Sequence, residues 1–209
     1  MELSMKRSGI ACCEKVFEYV MPVEQAAETV VPDTMPDVER ILCADGIVII
    51  RSKEVNEGRV NVSAGVAATV VYAPEGGGKP LSINAVVPVE LELDAPGVTQ
   101  ESVPIAMLSL TGIEARMLNP RKLLVRAVIL AQVECYAQTE MNFCDGLEGE
   151  GEENVEVLTD SRTISPVVSA REKTFVVSDE YRLPPGAPSL GELLWHGVDI
   201  ATGSVRAVG

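Results

Sequence analysis

Apolar and polar positions alternate along several stretches of the chain at the two-residue spacing of a β-strand with one buried face. Residues 59–72 carry a valine or an alanine at every second position for most of their length, and residues 81–94 alternate in the same way. Residues 122–136 are apolar on both faces, which predicts a central strand. Because Pro88 cannot donate a ladder hydrogen bond, the strand at 81–94 is predicted to lie at an edge or to contain a bulge.

Shorter apolar runs and turn residues indicate the remaining elements. Extended segments are predicted at 16–19, at the end of 23–31, at 47–53, and at 103–118 with a bend at Gly112. Turns are predicted at Asp45-Gly46, 56–58, 74–80 and 119–121. Because the strands follow one another without intervening helices, we predict an all-β, mainly antiparallel fold, either a sandwich or an open barrel.

One motif stands apart from the strands: residues 32–42, P-D-T-M-P-D-V-E-R-I-L, here called the proline motif. Pro32 and Pro36 fix φ and favour an extended lead-in, and Asp37 suits the positive end of a helix. The apolar residues that follow have the spacing of one helical face: Val38, Ile41 and Leu42. We therefore predict a short helix after the Pro-x-x-x-Pro turn, with its apolar face closing the open end of the sandwich.

The proline motif is repeated near the end of the chain at a constant shift of 152 positions, from Pro32 to Pro184 and from Leu42 to Leu194. The matching residues of this second proline motif are Pro184, Pro188, Leu190, Leu193 and Leu194. Without a gap, residues 23–48 align on 175–200. The repeat predicts a partial second copy, which would be a trimmed or fragmentary unit or one that borrows strands from a neighbouring chain.

Composition divides the chain into four predicted parts. Residues 1–13 are expected to form a flexible tail, 14–137 the first β domain, 138–153 an acidic linker, and 154–209 the beginning of the second copy, with strand-like patterns at 154–168 and 173–183. A metal site formed by the acidic residues of 138–153 is the functional alternative to a linker, but the carboxylates lack the spacing of a calcium-binding loop.

Charge and cysteine content narrow the function. The formal net charge of −14 argues against nucleic acid and anionic membrane surfaces; it would favour a basic partner, and it also promotes solubility. The five cysteines form no zinc pattern and are expected to be reduced packing residues, with a Cys135–Cys144 bridge or a bridge between chains as alternatives. No run reaches the about 20 apolar residues of a membrane span, so a cytoplasmic protein without membrane insertion is expected.

The sequence offers little catalytic chemistry, and we predict that the protein is not an enzyme and uses no cofactor or metal. His196 is the single histidine, so a triad base is poorly supported. Asp33 and Asp37 could be a glycosidase pair, but few aromatic residues are available to stack sugars, and a turn and helix-start role is favoured. The glycine run at 76–78 lacks the lysine and hydroxyl residue of a phosphate loop.

Two motifs together resemble a known family. The sequences V-V-P-D-T-M-P-D-V-E-R-I-L at 30–42 and L-N-P-R-K-L-L-V-R-A-V-I-L at 118–130 resemble the SPOCS domain of clostridial spore-coat assembly proteins of the SipL type. The resemblance covers about 23–136 as one copy and about 155–209 as the start of another. In that family, tandem SPOCS copies precede a LysM module, which is tied to binding of a morphogenetic ATPase and is missing from this sequence.

The resemblance implies a non-enzymatic scaffold on the mother-cell side of the forespore surface. Its expected partners are spore coat or morphogenetic proteins, and self-association through the incomplete second copy is a further possibility. The resemblance implies no catalytic residues. A carbohydrate- or cell-wall-binding β module is the competing hypothesis.

Overall fold

Six β-strands carry the fold in the computed structural model, which describes residues 4–148, 158, 160–174, 176–198 and 203–204. The strands are β1 Ser4–Val30, β2 Val38–Asn56, β3 Arg59–Pro74, β4 Leu81–Asp94, β5 Val103–Asn119 and β6 Lys122–Glu148. All pairings are antiparallel and form two three-stranded sheets, a first sheet in the order β1-β6-β5 and a second sheet in the order β2-β3-β4. The predicted all-β antiparallel fold is confirmed as an open sandwich.

The core lies between the two sheets and is built from branched aliphatic side chains. Alternation directs every second residue of β3, β4 and β6 inward, so that Val66, Val87 and Ile129 have no exposed surface. At one side of the sandwich β2 packs along β5, and at the other β1 approaches β4, in both cases without a hydrogen-bonded ladder. The two sheets therefore stay separate, and the structure is not a closed barrel.

Several strand positions agree with the sequence-based predictions. β6 is the central strand of the first sheet, as its two apolar faces predict. β4 is an edge strand of the second sheet, where Pro88 lies opposite Gly65. The predicted bend at Gly112 is a register shift between Leu110 and Gly112 in the β5–β6 ladder.

The helix predicted after the proline turn is wrong, and so is the turn predicted at Asp45-Gly46. Residues 38–56 form one continuous strand. Register shifts between Val38 and Arg40 and again between Ile41 and Cys43 each insert an extra residue into β2. The insertions bring Val38, Ile41 and Ala44, spaced three apart, to the inner face of a strand, which imitates helical spacing. Leu42 falls outside this face and is 43% exposed, so it does not help to close the sandwich.

β1 and β6 extend beyond the rest of the sandwich as a two-stranded ribbon, in which 4–14 pair with 137–148. This differs from the expected tail at 1–13 and from the start of the expected linker at 138–153; residues 149–153 lie outside the described residues. The ribbon depends on pairing between segments more than a hundred positions apart, and such pairing leaves no local signal in either sequence.

The C-terminal segment has little regular structure where it is described. Residues 160–174 and 176–198 contain no strand, in contrast to the patterns at 154–168 and 173–183, and a single bridge joins Val167 to Cys13 of the ribbon. The division of the chain into one complete and one partial copy stays a prediction. Among the described residues there is no helix of the length and apolar character needed to span a membrane.

The five cysteines are free thiols. Cys12 and Cys135 are buried, and burial raises the pKa of the Cys135 thiol above its ordinary value. Cys43 and Cys144 are exposed. The two buried cysteines therefore act as small packing residues.

Replacing Leu123 with alanine tests the position of the core. Leu123 is fully buried near the start of β6, so Leu123→Ala should lower the free energy of unfolding by about 3 kcal/mol, because a cavity replaces the side chain. Leu118 is 49% exposed, and the control Leu118→Ala should change stability by no more than about 0.5 kcal/mol. Urea unfolding of both variants gives the comparison, and equal losses would contradict the described core.

Candidate functional site

The two motifs that resemble the SPOCS family meet in space at one end of the sandwich. The proline motif connects β1 to β2 through a turn in which the Met35 N–H donates to the Pro32 carbonyl at 2.9 Å. Backbone hydrogen bonds on both sides of this turn reach the β5–β6 turn: Val31 N–H donates to the Arg121 carbonyl and Val38 N–H to the Pro120 carbonyl, each at 2.9 Å. The connection between the two sheets is therefore fixed to a hairpin turn of the first sheet.

The Arg121 side chain makes four hydrogen bonds at this junction. Its guanidinium donates through Nη1 to the Met35 carbonyl at 2.7 Å and to Asp37 Oδ1 at 2.9 Å. Through Nη2 it donates to the Val31 carbonyl at 3.0 Å and to Asp33 Oδ1 at 3.1 Å. The planar guanidinium has two nitrogens that can each serve two acceptors, and a lysine ammonium has no such fork. Arg121 thus holds both ends of the proline turn at once.

The local sequence prepares Arg121 for this role. Asn119 Oδ1 accepts a hydrogen bond from the Arg121 backbone N–H at 2.9 Å, which shapes the β5–β6 turn. The hydrogen bond to Asp37, together with the charges of Asp37 and Asp33, raises the pKa of the Arg121 guanidinium above its ordinary value, although desolvation opposes the shift. The arginine therefore stays charged at any physiological pH.

Tyr72 supports the same turn from inside the core. Its ring is fully buried, and its hydroxyl donates to the Pro36 carbonyl at 3.1 Å. Desolvation raises the pKa of the Tyr72 phenol above its ordinary value, while the positive charge of Arg121 lowers it. Glu75, just after β3, donates its backbone N–H to the Asp37 carbonyl at 2.8 Å. The proline turn is therefore bound to both sheets.

Arg121, Asp33 and Asp37 are here called the Arg121 cluster. This cluster gives a structural role to the two aspartates that could have formed a glycosidase pair. Asp33 and Asp37 bind the same guanidinium and so do not face each other across an open cleft. His196 lines a separate cleft beside Asp45 and Thr69. Within the part of the chain that the structure describes, no group of three or more His, Cys, Asp or Glu side chains could hold a metal ion. The chemistry of the Arg121 cluster is that of a structural clamp.

The second proline motif repeats the hydrogen bond that closes the first turn. The Ala187 N–H donates to the Pro184 carbonyl at 3.1 Å, and Ala187 aligns with Met35 at the same shift of 152 positions. Gly186 has φ +90°, the value that a type II turn needs at its third residue, whereas its counterpart Thr34 has no positive φ, so the two turns share the hydrogen bond but differ in type. Leu190 and Leu193 are 75% and 68% exposed. A hydrogen-bonded turn thus forms in both proline motifs, whereas these two leucines remain exposed.

A second candidate site is an apolar strip on the outer face of the first sheet, which sequence analysis did not single out. Val20 and Met107 lie on either side of Gln132 in one row of the cross-strand register, and they are 46% and 59% exposed. In the next row, Pro22 lies opposite Leu130. This first-sheet strip consists of Val20, Pro22, Met107, Val128 and Leu130. The sequence does contain a sign of this strip, because 122–136 is apolar on both faces. A central strand with one solvent-facing side needs only one apolar face.

Ion pairs border the first-sheet strip on both sides. On one side Arg126 contacts Glu24 at 3.1 Å and Glu114 at 3.5 Å. On the other side Lys15 contacts Glu134 at 3.3 Å, and the Tyr136 hydroxyl donates to Glu134 at 2.8 Å, which lowers the pKa of that carboxyl. An apolar centre with a charged rim is the composition of many protein interaction surfaces.

The fold and the Arg121 cluster define the chain as an antiparallel β-sandwich whose sheet-to-sheet connection is held by an arginine clamp. Residues 37–118 match the family model described as SipL, SPOCS domain. The match confirms the predicted resemblance to the SPOCS domain family over those residues, which are less than half of the chain. They extend from Asp37 of the proline motif to the end of β5, just before the turn that carries Arg121. No curated protein and no solved structure matches the chain.

Replacing Arg121 with lysine tests the clamp. Arg121→Lys keeps the positive charge but has three N–H donors on a single nitrogen, so at least one of the four acceptors loses its donor and the midpoint of urea unfolding should fall. Arg116→Lys is the matched control, since Arg116 is 67% exposed and contacts Glu114 alone at 3.1 Å. If the urea midpoint of Arg121→Lys fell no further than that of Arg116→Lys, the result would contradict the clamp.

Tyr72→Phe tests the contact from the core. At neutral pH the variant should lose about 1 kcal/mol of unfolding free energy, because one hydrogen bond is removed. Above the ordinary phenol pKa of 10.0, the unfolded wild type releases the Tyr72 proton more readily than the folded state, so the wild type loses stability as pH rises. The difference between wild type and variant should therefore narrow above that pH, and a constant difference in urea unfolding would count against the buried phenol.

Proposed function

We propose that this chain is a non-enzymatic structural module of spore coat or spore envelope assembly and that it acts through protein–protein contacts. The SPOCS domain match at 37–118 supports the connection with sporulation, through the family to which that domain belongs. The first-sheet strip is the observation that carries the second half of the proposal, because the exposed apolar side chains of Val20 and Met107, on the strands that flank β6, form a patch that a partner surface can cover.

The proposed location is the cytoplasm of the mother cell, at the surface of the forespore, and the proposed partners are coat or morphogenetic proteins. The net charge of −14 favours a partner whose contact surface is apolar in the middle and basic around it. The exposed residues of the strip, Val20 and Met107, would lie at the centre of such a contact. Their burial would supply affinity, and the bordering ion pairs would orient the partner.

A fluorescent fusion in a sporulating spore-forming bacterium tests the proposal. The wild-type chain is expected to form a ring around the forespore. The double variant Val20→Glu, Met107→Glu should give a diffuse mother-cell signal, because two charges in the strip oppose burial. The purified variant should unfold at the same urea concentration as the wild type, since both side chains are exposed and lie outside the core.

Leu118→Glu serves as the matched control, because Leu118 is 49% exposed and lies outside the strip. The Leu118→Glu fusion should still form a fluorescent ring around the forespore. A diffuse signal from the wild type, or a ring that survives in the double variant, would contradict the proposed role of the strip. Retention of the purified wild type on peptidoglycan would instead support a cell-wall-binding module.

A further inference from the structure

The outer face of the second sheet carries a second exposed apolar region. Cross-strand register aligns Ile47 with Ala67 and Val86, and the next row aligns Ile49 with Pro88 across Gly65. Ile47, Ile49 and Val86 are 60%, 49% and 55% exposed. The outer face of an antiparallel sheet is ordinarily polar, so this second-sheet strip needs an explanation of its own.

The C-terminal segment of the chain already lies against one end of this strip. The Trp195 indole N–H donates to Asp45 Oδ2 at 2.8 Å. A cleft of about 370 Å³ separates the segment from the sheet and is lined by 195–198 on one side and by Asp45, Ile47 and Ala67 on the other. Trp195 is 48% exposed, so about half of the largest side chain of the segment is covered.

Further contacts hold the segment along the domain before it reaches Asp45. The Cys13 N–H donates to the Val167 carbonyl, which adds a residue to the open edge of β1. Lys53 in β2 forms an ion pair with Glu172. Three contacts, at Val167, Glu172 and Trp195, thus follow one another along the segment, which is the pattern of a chain laid over a surface.

The sequence repeat shows which part of the first β domain corresponds to the segment around Trp195. Trp195 aligns with Cys43 and Gly197 with Asp45, so the segment is the second-copy equivalent of the beginning of β2. It follows the second proline turn, whose Ala187–Pro184 hydrogen bond matches that of Met35 and Pro32. Of the three contacts, the one at Trp195 therefore lies within the repeated sequence, whereas Val167 and Glu172 precede it.

We propose that the outer face of the second sheet is the docking site for the segment that follows the second proline turn of the same chain, with Trp195 as its anchor and Asp45 as its acceptor. The contact forms in cis and joins the first copy to the start of the next. An indole suits this place because its N–H reaches the carboxylate while its ring lines the same cleft as the apolar side chain of Ile47. The inference does not depend on a role in sporulation.

Fluorescence of the full chain tests the docking directly, because Trp195 is the single tryptophan. The wild type should be quenched by acrylamide less efficiently than a free tryptophan amide, and its emission should lie at shorter wavelength. Asp45→Ala removes the acceptor and should lower the ratio of docked to undocked segment by roughly two- to tenfold, the value of one hydrogen bond. Ile47→Glu should also lower the docked fraction, because it places a charge in the cleft that the Trp195 ring lines.

Asp94→Ala is the matched control, since it removes the same charge from an exposed position of the same sheet. It should leave emission and quenching unchanged. Equal unfolding midpoints in urea for all variants would show that the domain itself is intact. Wild-type quenching equal to that of free tryptophan amide, or no response to Asp45→Ala and Ile47→Glu, would overturn the proposal.

Dilution distinguishes docking in cis from docking between two chains. An intramolecular contact does not depend on protein concentration, so emission should stay constant over about a hundredfold dilution of the wild type. A shift toward the emission of the Asp45→Ala variant on dilution would overturn the cis assignment, because it would show that the occupant is the segment of a second copy of the chain.

Discussion

The structure depends on the way in which one arginine connects the two sheets. The chain passes from the first sheet to the second through the proline turn, and the residues on both sides of that passage, Val31 and Val38, are buried in the core. A crossing of this kind leaves backbone carbonyls without ladder partners. Arg121 supplies donors to two of them, at Val31 and Met35, and the relative position of the sheets is fixed by the same contacts.

The clamp also explains why two charged residues can stand beside a core built of aliphatic side chains. Asp33 and Asp37 lie at the exposed rim of the turn, where each binds one nitrogen of the guanidinium. The two carboxylates and the two carbonyls share one cation, so each carboxylate has a positively charged partner and the three side chains together carry a net negative charge. Inside the sandwich Tyr72 brings a hydroxyl group to this end, and this hydroxyl donates to the Pro36 carbonyl.

The fold class could be predicted from the sequence because it depends on local patterns of apolar and polar residues. Alternation at 59–72 and 81–94, the apolar faces of 122–136 and the position of Pro88 depend on neighbours along the chain, and the structure confirms what they predict. The helix at the proline motif was wrong because two bulges in β2 imitate a spacing of three.

The candidate sites depend on contacts that no local pattern contains. Both motifs of the Arg121 cluster are recognisable in the sequence. Arg121 lies 84 positions from Asp37, however, and neither motif contains a local pattern that predicts their contact. The ribbon and the two outer strips likewise arise from the register of strands distant in sequence. In this chain, spacing along the sequence predicts strands, and long-range pairing creates the surfaces.

The pairing of β1 with β6 has a consequence for the order of events during protein synthesis. β2, β3 and β4 are joined by short turns and can form their sheet as soon as they have been made, whereas β1 must wait for a strand that ends at Glu148. A finished but unpaired strand is prone to wrong association. The charges that β1 carries on its outward positions, among them Lys15, Glu18 and Glu24, discourage such association on the ribosome long before they become ion pairs in the completed sheet.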